Sequence, residues 1–506
     1  MSIAYLDPGN IESDLQAGTV ARYRLLWVLM WSTFLGLLMQ RLSARLGTVT
    51  GHHLAELCYR RYPKAPRLLL WIMVEIAIIG SDMQEVIGTA IALYLLTNKM
   101  LPLWGGVLLT IADTFSFLLL DKYGLRRLEM FFCTLITLMA VTFGYEYFIV
   151  RPDTVDVVEG LALPWCSNCG SDALAQAVGI IGAIIMPHNL YLHSALVKTR
   201  KIDRSDHQQV KEANRYVFIE SAIALAVSLL INIAVTSVFA HGLYGVTNNE
   251  ILGNCSFSND SRLSDITHFF PANNELVDAD LYKAGLFLGC TFGIPAMYIW
   301  AVGIFAAGQS STMTGCYSGQ FVMEGFLNLY WKRWKRVLLT RSIAIMPTLF
   351  LAVYADLSQM TALNDSLNAL MSLQLPFALL PTLTFTSSEK VMGRFKNNHI
   401  NKLIATMLSL LVIVINLYFV FSFAHENLTF TTPVVLVLVA FTVYYLVFIS
   451  YLVGCYLYVL GVRWVQRIPF VGQYMIEPAH LEHSLCVPKG DQNPNYRYGT
   501  SGDLTM

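Results

Sequence analysis

The sequence predicts an all-α protein that crosses a membrane many times, and three observations support this fold class. The chain of 506 residues is 55% hydrophobic and only 13% charged, with a mean hydropathy of +0.52. A soluble globular protein carries about 25% charged residues. Apolar runs of about 20 residues, long enough to span a bilayer as a helix, recur along the chain. Two of these runs are interrupted by matching polar motifs.

The first interruption is the stretch Asp7, Pro8, Gly9 and Asn10. Proline donates no backbone hydrogen bond and glycine is a poor helix former, so we expect a helix to break here. A break frees carbonyl oxygens, and the Asp7 and Asn10 side chains add oxygens beside them. The stretch therefore predicts a cation site.

Twelve apolar segments are predicted, with ends uncertain by a few residues. They run over about 1–18, 23–46, 67–96, 102–121, 124–148, 173–198, 214–240, 284–307, 338–356, 361–386, 401–424 and 432–460. The connections from even to odd segments, together with the tail after 460, hold 27 Lys and Arg residues, against 6 on the opposite side. The positive-inside rule therefore predicts a cytosolic C-terminal tail.

The outer loops carry glycosylation sequons and cysteines. Asn254 and Asn259 lie in the long loop of about 241–283, where glycans could be added. Two further sequons, at 364 and 427, are expected to lie too close to the membrane. The cysteines Cys166, Cys169 and Cys255 are on the oxidising side, so a disulfide among them is expected, but the sequence leaves its pairing open.

The second interruption, in the sixth segment, is Met186, Pro187, His188 and Asn189, which repeats the x-Pro-x-Asn pattern. Interrupted segments at corresponding positions of two halves are typical of a transporter's binding site. Two ordinary proline kinks are the alternative. The Met186 thioether is a soft ligand that favours Fe²⁺ and Mn²⁺ over Mg²⁺ and Ca²⁺, although a methionine in a membrane helix usually only packs.

Ionisable residues inside membrane segments are costly and indicate function. They are Glu75, Asp82 and Glu85 in the third segment, His188 and His193 in the sixth, and Arg341 in the ninth; the polar Asn368, Gln374 and Asn416 follow in the tenth and eleventh. Histidine titrates nearest neutral pH, so such a row could pass protons through the bilayer. A compatible alternative is that Arg341 pairs with Asp82 or Glu85 to hold segments together. Glu75 is interpreted as structural.

Four stretches together resemble the NRAMP family of proton-coupled divalent metal transporters, most closely its animal members. They are 7–10, 80–85, 186–194, and 308–315 with its continuation to 325. The resemblance runs from residue 1 to about 460. It implies Fe²⁺ and Mn²⁺ as substrates moved into the cytosol with protons, no cofactor and no enzymatic activity.

The resemblance also implies a LeuT-like fold, in which segments 1–5 and 6–10 form inverted repeats. Repeat one would cover about 1–148 and repeat two about 173–386, with extra helices at about 401–460. Together they form a transport domain, 1–460, followed by the cytosolic tail, 461–506. The family has a further half-helix before the first motif, and only six residues precede Asp7 here. We therefore expect the first helix to be truncated at its N-terminal half.

The resemblance further implies two sets of site residues. The metal would be held by Asp7, Asn10 and Met186, with the carbonyls of Ala4 and Ala183, and by Asn368, which stands where relatives place a polar ligand, often Gln. Protons would pass by Asp7, His188, Asp82 and Glu85, with Arg341 and His193 in the supporting path.

Two other functions remain open on the sequence. A sodium-coupled organic solute carrier of similar fold is disfavoured, because Asp7 would repel a substrate carboxylate. A non-transporting metal sensor or receptor on the same scaffold is the second. The net charge of zero gives no indication of a nucleic-acid partner. The segment from Asn493 to Tyr496 fits an NPxY signal for an endocytic adaptor, and the membrane is predicted to be the plasma membrane or an endosomal-lysosomal one.

Overall fold

A computed structural model describes residues 6–120, 125–166, 169–255, 266–329, 331–354, 357–427 and 432–462. Within these ranges the chain is almost entirely helical, with an isolated bridge between Thr247 and Leu276. The helices of the first half are α1 Pro8–Ala21, α2 Leu26–Thr50, α3 Leu54–Arg61, α4 Lys64–Leu96, α5 Leu103–Leu120, α6 Leu125–Val150, α7 Thr154–Ala162, α8 Ser171–Ile184, α9 Pro187–Lys198 and α10 His207–Gly242. Those of the second half are α11 Asn248–Cys255, α12 Ile266–Phe269, α13 Leu281–Phe292, α14 Ile294–Leu327, α15 Arg333–Tyr354, α16 Leu357–Gln374, α17 Pro376–Ser387, α18 Glu389–Met392, α19 His399–Asn427 and α20 Thr432–Val459.

The all-α, multi-pass fold class is confirmed. In the described part of the chain, eight helical stretches are long and apolar enough to cross a membrane. Each of the twelve predicted segments coincides with one helix or with two consecutive helices. The sixth and tenth segments are each split, into α8 with α9 and into α16 with α17. In both splits a proline occupies the first position of the second helix, where its missing N–H costs no helical hydrogen bond.

The eighth segment differs most from its prediction. Gly293 has a φ of 93° and separates α13 from α14, a conformation that only glycine adopts without strain. Helix α14 then continues for 34 residues to Leu327. The predicted segment ended near residue 307 because the polar stretch that follows lowers the hydropathy. That stretch is helical and largely buried against α4, so packing rather than hydropathy sets its length.

Two disulfides lie on the predicted outer side. Cys166 pairs with Cys169, and Cys255 pairs with Cys290. The sequence left the pairing open and did not consider Cys290, because that residue fell inside a predicted apolar segment. The second disulfide joins α11 to α13. Asn254 lies at the end of α11, whereas Asn259 falls outside the described residues, so glycosylation at both stays a prediction.

On the opposite side, the short helix α3 follows α2 and contacts α9. The Leu54 amide donates to the Ser194 hydroxyl over 3.0 Å, and Lys198 donates to Glu56 over 2.6 Å. His53 precedes α3 and is 3% exposed, with its ring facing Glu56 and the α14 residue Phe321. Burial lowers the pKa of His53 to about 4, and the opposing charge of Glu56 only partly offsets this.

The buried His53 should make the protein less stable in mild acid. The unfolded chain binds a proton at this imidazole below its ordinary pKa of about 6.5, whereas the folded protein stays neutral there until about 4. The contribution of neutral His53 is thus complete above about pH 6.5 and is lost as the pH falls towards 4. Between about pH 7.5 and 5.5 the loss is about 1 kcal/mol. Thermal unfolding at both pH values, for the parent and for His53→Gln, measures it. His399→Gln, at an exposed position, is the control, and an unchanged pH slope in His53→Gln would contradict the assignment.

Candidate metal centre

The first predicted motif forms the start of α1. Asp7 is the N-cap, and its carboxylate accepts from the backbone N–H of Asn10 over 3.1 Å. The Asn10 side chain also donates to the same carboxylate oxygen, Oδ1. Pro8 occupies the first helical position, which suits its fixed φ. The motif therefore folds into a helix start that places a carboxylate and an amide side by side.

Two oxygens of this turn have no hydrogen-bond donor. They are Oδ2 of Asp7 and Oδ1 of Asn10, and both residues are only 1% exposed. A buried polar atom without a hydrogen-bond partner is costly, and natural proteins contain few of them. Two such acceptors on neighbouring side chains form a site that a bound cation would satisfy.

The second motif lies at the break between α8 and α9. Helix α8 ends at Ile184, Met186 is extended with φ −67° and ψ 128°, and Pro187 starts α9. Pro187 stands four residues after Ala183 and has no N–H, so the Ala183 carbonyl lacks its usual helical donor. Met186 is 2% exposed. The break thus contains a carbonyl oxygen and a thioether at the two positions for which a ligand role is predicted, and that role stays a prediction.

Helix α16 connects the two breaks through Asn368. The Asn368 side chain donates to the Gly9 carbonyl over 3.1 Å. Its backbone carbonyl lies directly against Gly182, where any side chain would collide with it. Gly182 immediately precedes Ala183, so Asn368 touches the first turn of α1 on one side and the end of α8 on the other.

The Asn368 oxygen is engaged in this conformation. It accepts from the Gln84 side chain over 2.7 Å, so a ligand role for Asn368 is not displayed here and stays a prediction. Ala4 lies outside the described residues. The other predicted metal ligands, Asp7, Asn10, Ala183 and Met186, belong to the start of α1 or to the break between α8 and α9. In the described ranges no cluster of three or more His, Cys, Asp or Glu side chains is suited to hold a metal.

Sequence reasoning missed two residues of this region. Gln84 links α4 to α16 through its bond to Asn368, and its side chain packs so closely on Gly9 that a Cβ there would lie 2.8 Å from its amide. Its position between Asp82 and Glu85 was the available signal. Asp14, two turns beyond Asp7, is 2% exposed and also has an oxygen without a donor. Their spacing of seven residues places both carboxylates on one helix face.

The predicted acidic pair lies beside the predicted arginine. Arg341 donates to Glu85 over 2.7 Å and lies 3.8 Å from Asp82. All three side chains are buried. The sequence offered proton transfer and structural pairing as compatible interpretations, and the contacts establish the pairing. Glu75 is likewise held by Arg336, which contacts both of its oxygens at 2.7 Å, in agreement with a structural role.

Helix α14 contacts both the acidic pair and the backbone of His188. A Cβ at Gly315 would lie 2.8 Å from the Asp82 carboxylate, and one turn later Ser318 donates to the His188 carbonyl over 3.2 Å. His188 is 2% exposed, and its Nδ1 has no partner. His193, further along α9, is equally buried. The structure thus places Asp82, Glu85 and His188 around one turn of α14.

Comparison with known proteins gives consistent matches. The family model described as natural resistance-associated macrophage protein-like, Nramp, matches residues 1–422. The Drosophila melanogaster protein Malvolio is 57% identical over 98% of this chain and 84% of its own length. Human natural resistance-associated macrophage protein 2 is 57% identical over 92% of this chain and 81% of its own length. A crystal structure of a mutant manganese transporter from Eremococcus coleocola superposes with a TM-score of 0.74 at 29% identity, covering 92% of this chain and 93% of that one.

Proposed function

This chain belongs to the Nramp family, and from that premise we propose that it carries Mn²⁺ and Fe²⁺ across a membrane into the cytosol together with protons. The family consists of transporters, so the chain is a transporter and not an enzyme. A related structure is described as a manganese transporter, which supports Mn²⁺ as one substrate.

The observation that carries the proposal is the pair of oxygens without donors on Asp7 and Asn10. A carboxylate and an amide oxygen alone would suit a hard ion such as Mg²⁺ or Ca²⁺. The Met186 sulfur adds a soft ligand that favours Mn²⁺ and Fe²⁺. The Ala183 carbonyl adds a further oxygen. We propose that the ion sheds most of its water and binds between the two helix breaks near the middle of the bilayer.

The proton would follow a route next to the metal. Asp7 itself can accept one, and the group formed by His188, Asp82 and Glu85 around α14 can relay it, with Arg341 and His193 in support. Intramembrane carboxylates and histidines of this kind are typical of proton relays. Two inverted repeats, 1–148 and 173–386, would rock about the site and expose it first to one side and then to the other.

Transport into vesicles tests this function. The full chain is reconstituted into proteoliposomes, and Mn²⁺ uptake is measured with an inward proton gradient, without a gradient, and with a sodium gradient instead. We expect the proton gradient alone to accelerate uptake and the vesicle interior to acidify with metal entry. Uptake that ignores the proton gradient would refute symport. Saturable Mn²⁺ binding without uptake would indicate a sensor or receptor.

Replacing Met186 should reduce selectivity against Ca²⁺. Met186→Leu keeps the volume and removes the sulfur, and Met186→Ala removes both. Because the thioether contributes to binding of Mn²⁺ but adds little for Ca²⁺, the preference for Mn²⁺ should fall by about tenfold or more. Competition of Ca²⁺ against Mn²⁺ uptake measures it. Met39→Leu, a buried methionine on α2, is the control. If Ca²⁺ inhibits Mn²⁺ uptake by Met186→Leu no more than it inhibits uptake by the parent, the sulfur is not a ligand.

The remaining assignments of the sequence analysis are also proposals. They are Ala4 and Asn368 as further ligands, glycans on Asn254 and Asn259, and a plasma-membrane or endosomal-lysosomal location with the C-terminus in the cytosol. The adaptor signal from Asn493 to Tyr496 lies outside the described residues.

A further inference from the structure

A basic cavity opens where the C-terminal half of α2, the first turns of α10 and the segment between α18 and α19 meet. Its volume is about 410 Å³, within the range of small-molecule sites. Among the residues that the structure describes, no carboxylate lines it, and five cationic side chains do: Arg41, Arg45, Lys211, Arg215 and Lys396. All five lie in connections or at the adjoining segment ends, on the side that the positive-inside rule places in the cytosol.

The helices direct these charges into the cavity in pairs. Arg41 and Arg45 are four residues apart on α2, and Lys211 and Arg215 are four apart on α10. Residues at this spacing share one helix face, where like charges destabilise the helix. The cavity therefore concentrates like charges whose repulsion a bound anion would relieve.

Neighbouring groups fix the arginine side chains without neutralising them. Arg45 donates to the Asn397 side chain over 2.8 Å and to the Phe395 carbonyl. Arg41 lies over the Phe218 ring at 5.1 Å. Lys396 is paired with Glu389, but in the described part of the chain no ion pair engages Lys211 or Arg215. The charge on the α10 side is thus available to a ligand.

We propose that this cavity binds an anion that carries adjacent phosphate groups. Arginine and lysine make short, charge-assisted hydrogen bonds to phosphate oxygens, and basic pockets between helices on the cytosolic side suit phosphoinositide headgroups. A soluble polyphosphate presents the same chemistry. Either ligand would link α2, α10 and the α18–α19 segment. The proposal is independent of which ion the protein carries.

Binding to the purified full chain in detergent tests it. The probes are dioctanoyl phosphatidylinositol bisphosphate, inositol trisphosphate and dioctanoyl phosphatidylcholine, with affinity measured by microscale thermophoresis. We expect the parent to bind a phosphorylated probe but not phosphatidylcholine, and the dissociation constant to rise about tenfold or more in Lys211→Gln/Arg215→Gln. Lys201→Gln/Lys332→Gln, which removes two exposed lysines outside the cavity, should bind like the parent. Arg41→Gln provides a second variant, with a smaller rise.

The probes distinguish the sources of the ligand. Tighter binding of the lipid than of inositol trisphosphate, lost in the cavity variants, identifies a membrane lipid. Equal binding of both, lost in the same variants, identifies a soluble phosphate. If the parent binds neither, or if the cavity variants bind as tightly as the control, the proposal is wrong.

Discussion

The Asp7→Asn variant should lose Mn²⁺ uptake almost completely. The substitution preserves the side-chain volume and an acceptor for the Asn10 amide, so the start of α1 should keep its fold. It removes the negative charge and replaces one of the two side-chain oxygens with an NH2 group, which cannot bind a cation. Replacing groups that merely support metal ligands costs 10–100-fold in affinity, so loss of the one charged group among the proposed ligands should cost at least about 100-fold. Isothermal titration with Mn²⁺ and uptake into proteoliposomes both measure it.

The controls separate this effect from misfolding. Asp203→Asn removes a carboxylate from an exposed connection and should leave uptake unchanged. The thermal unfolding midpoint of Asp7→Asn should not fall, since a buried carboxylate without a full set of partners opposes folding. Mn²⁺ affinity within threefold of the parent would exclude Asp7 as a ligand and with it the proposed centre.

Arg341→Met should strongly destabilise the protein. The substitution keeps an apolar stem but leaves Glu85 and Asp82 buried without their cation. Removing one partner of a buried ion pair costs about 3–5 kcal/mol. Thermal and chemical unfolding of the purified variant in detergent measure the loss. The expected change is among the largest for a single substitution, because it leaves two carboxylates uncompensated rather than one.

A second substitution tests the cause. Glu85→Gln in the Arg341→Met background removes the stranded charge, so it should recover a large part of the lost stability. The single Glu85→Gln variant provides the reference for a double-mutant cycle. If Arg341→Met is as stable as the parent, or if Glu85→Gln worsens it further, the pairing is not what holds α4 to α15.

The sequence was sufficient for the helix starts at the two motifs and insufficient for the contacts between helices. Pro8 and Pro187 fix where helices start, because proline acts locally through its missing N–H, and both positions are as predicted. The length of α14 depends instead on burial against α4. A hydropathy window cannot predict this, because it contains no information on contacts between helices. The same limit applies to the pairing of Cys255 with Cys290, which are 35 residues apart.

The candidate site divides in the same way. Asp7 and Asn10 could be proposed as site residues because their types are unusual in an apolar segment, and Met186 because it precedes Pro187 as Asp7 precedes Pro8. Gln84 could not, because its importance lies in touching Asn368, 284 residues away. Asn368 stays a predicted ligand, and what the sequence did not indicate is that its oxygen accepts from Gln84 on another helix.

The bond between Gln84 and Asn368 has a consequence for capture of the ion. An amide oxygen has two lone pairs. If the ion binds at the one that now accepts from Gln84, it displaces that donor, and occupancy of the centre and loss of this contact between α4 and α16 become one event. The affinity measured at equilibrium would then include the free energy of breaking this hydrogen bond. A chain with a shorter residue at 84 would bind the ion more tightly and release it more slowly.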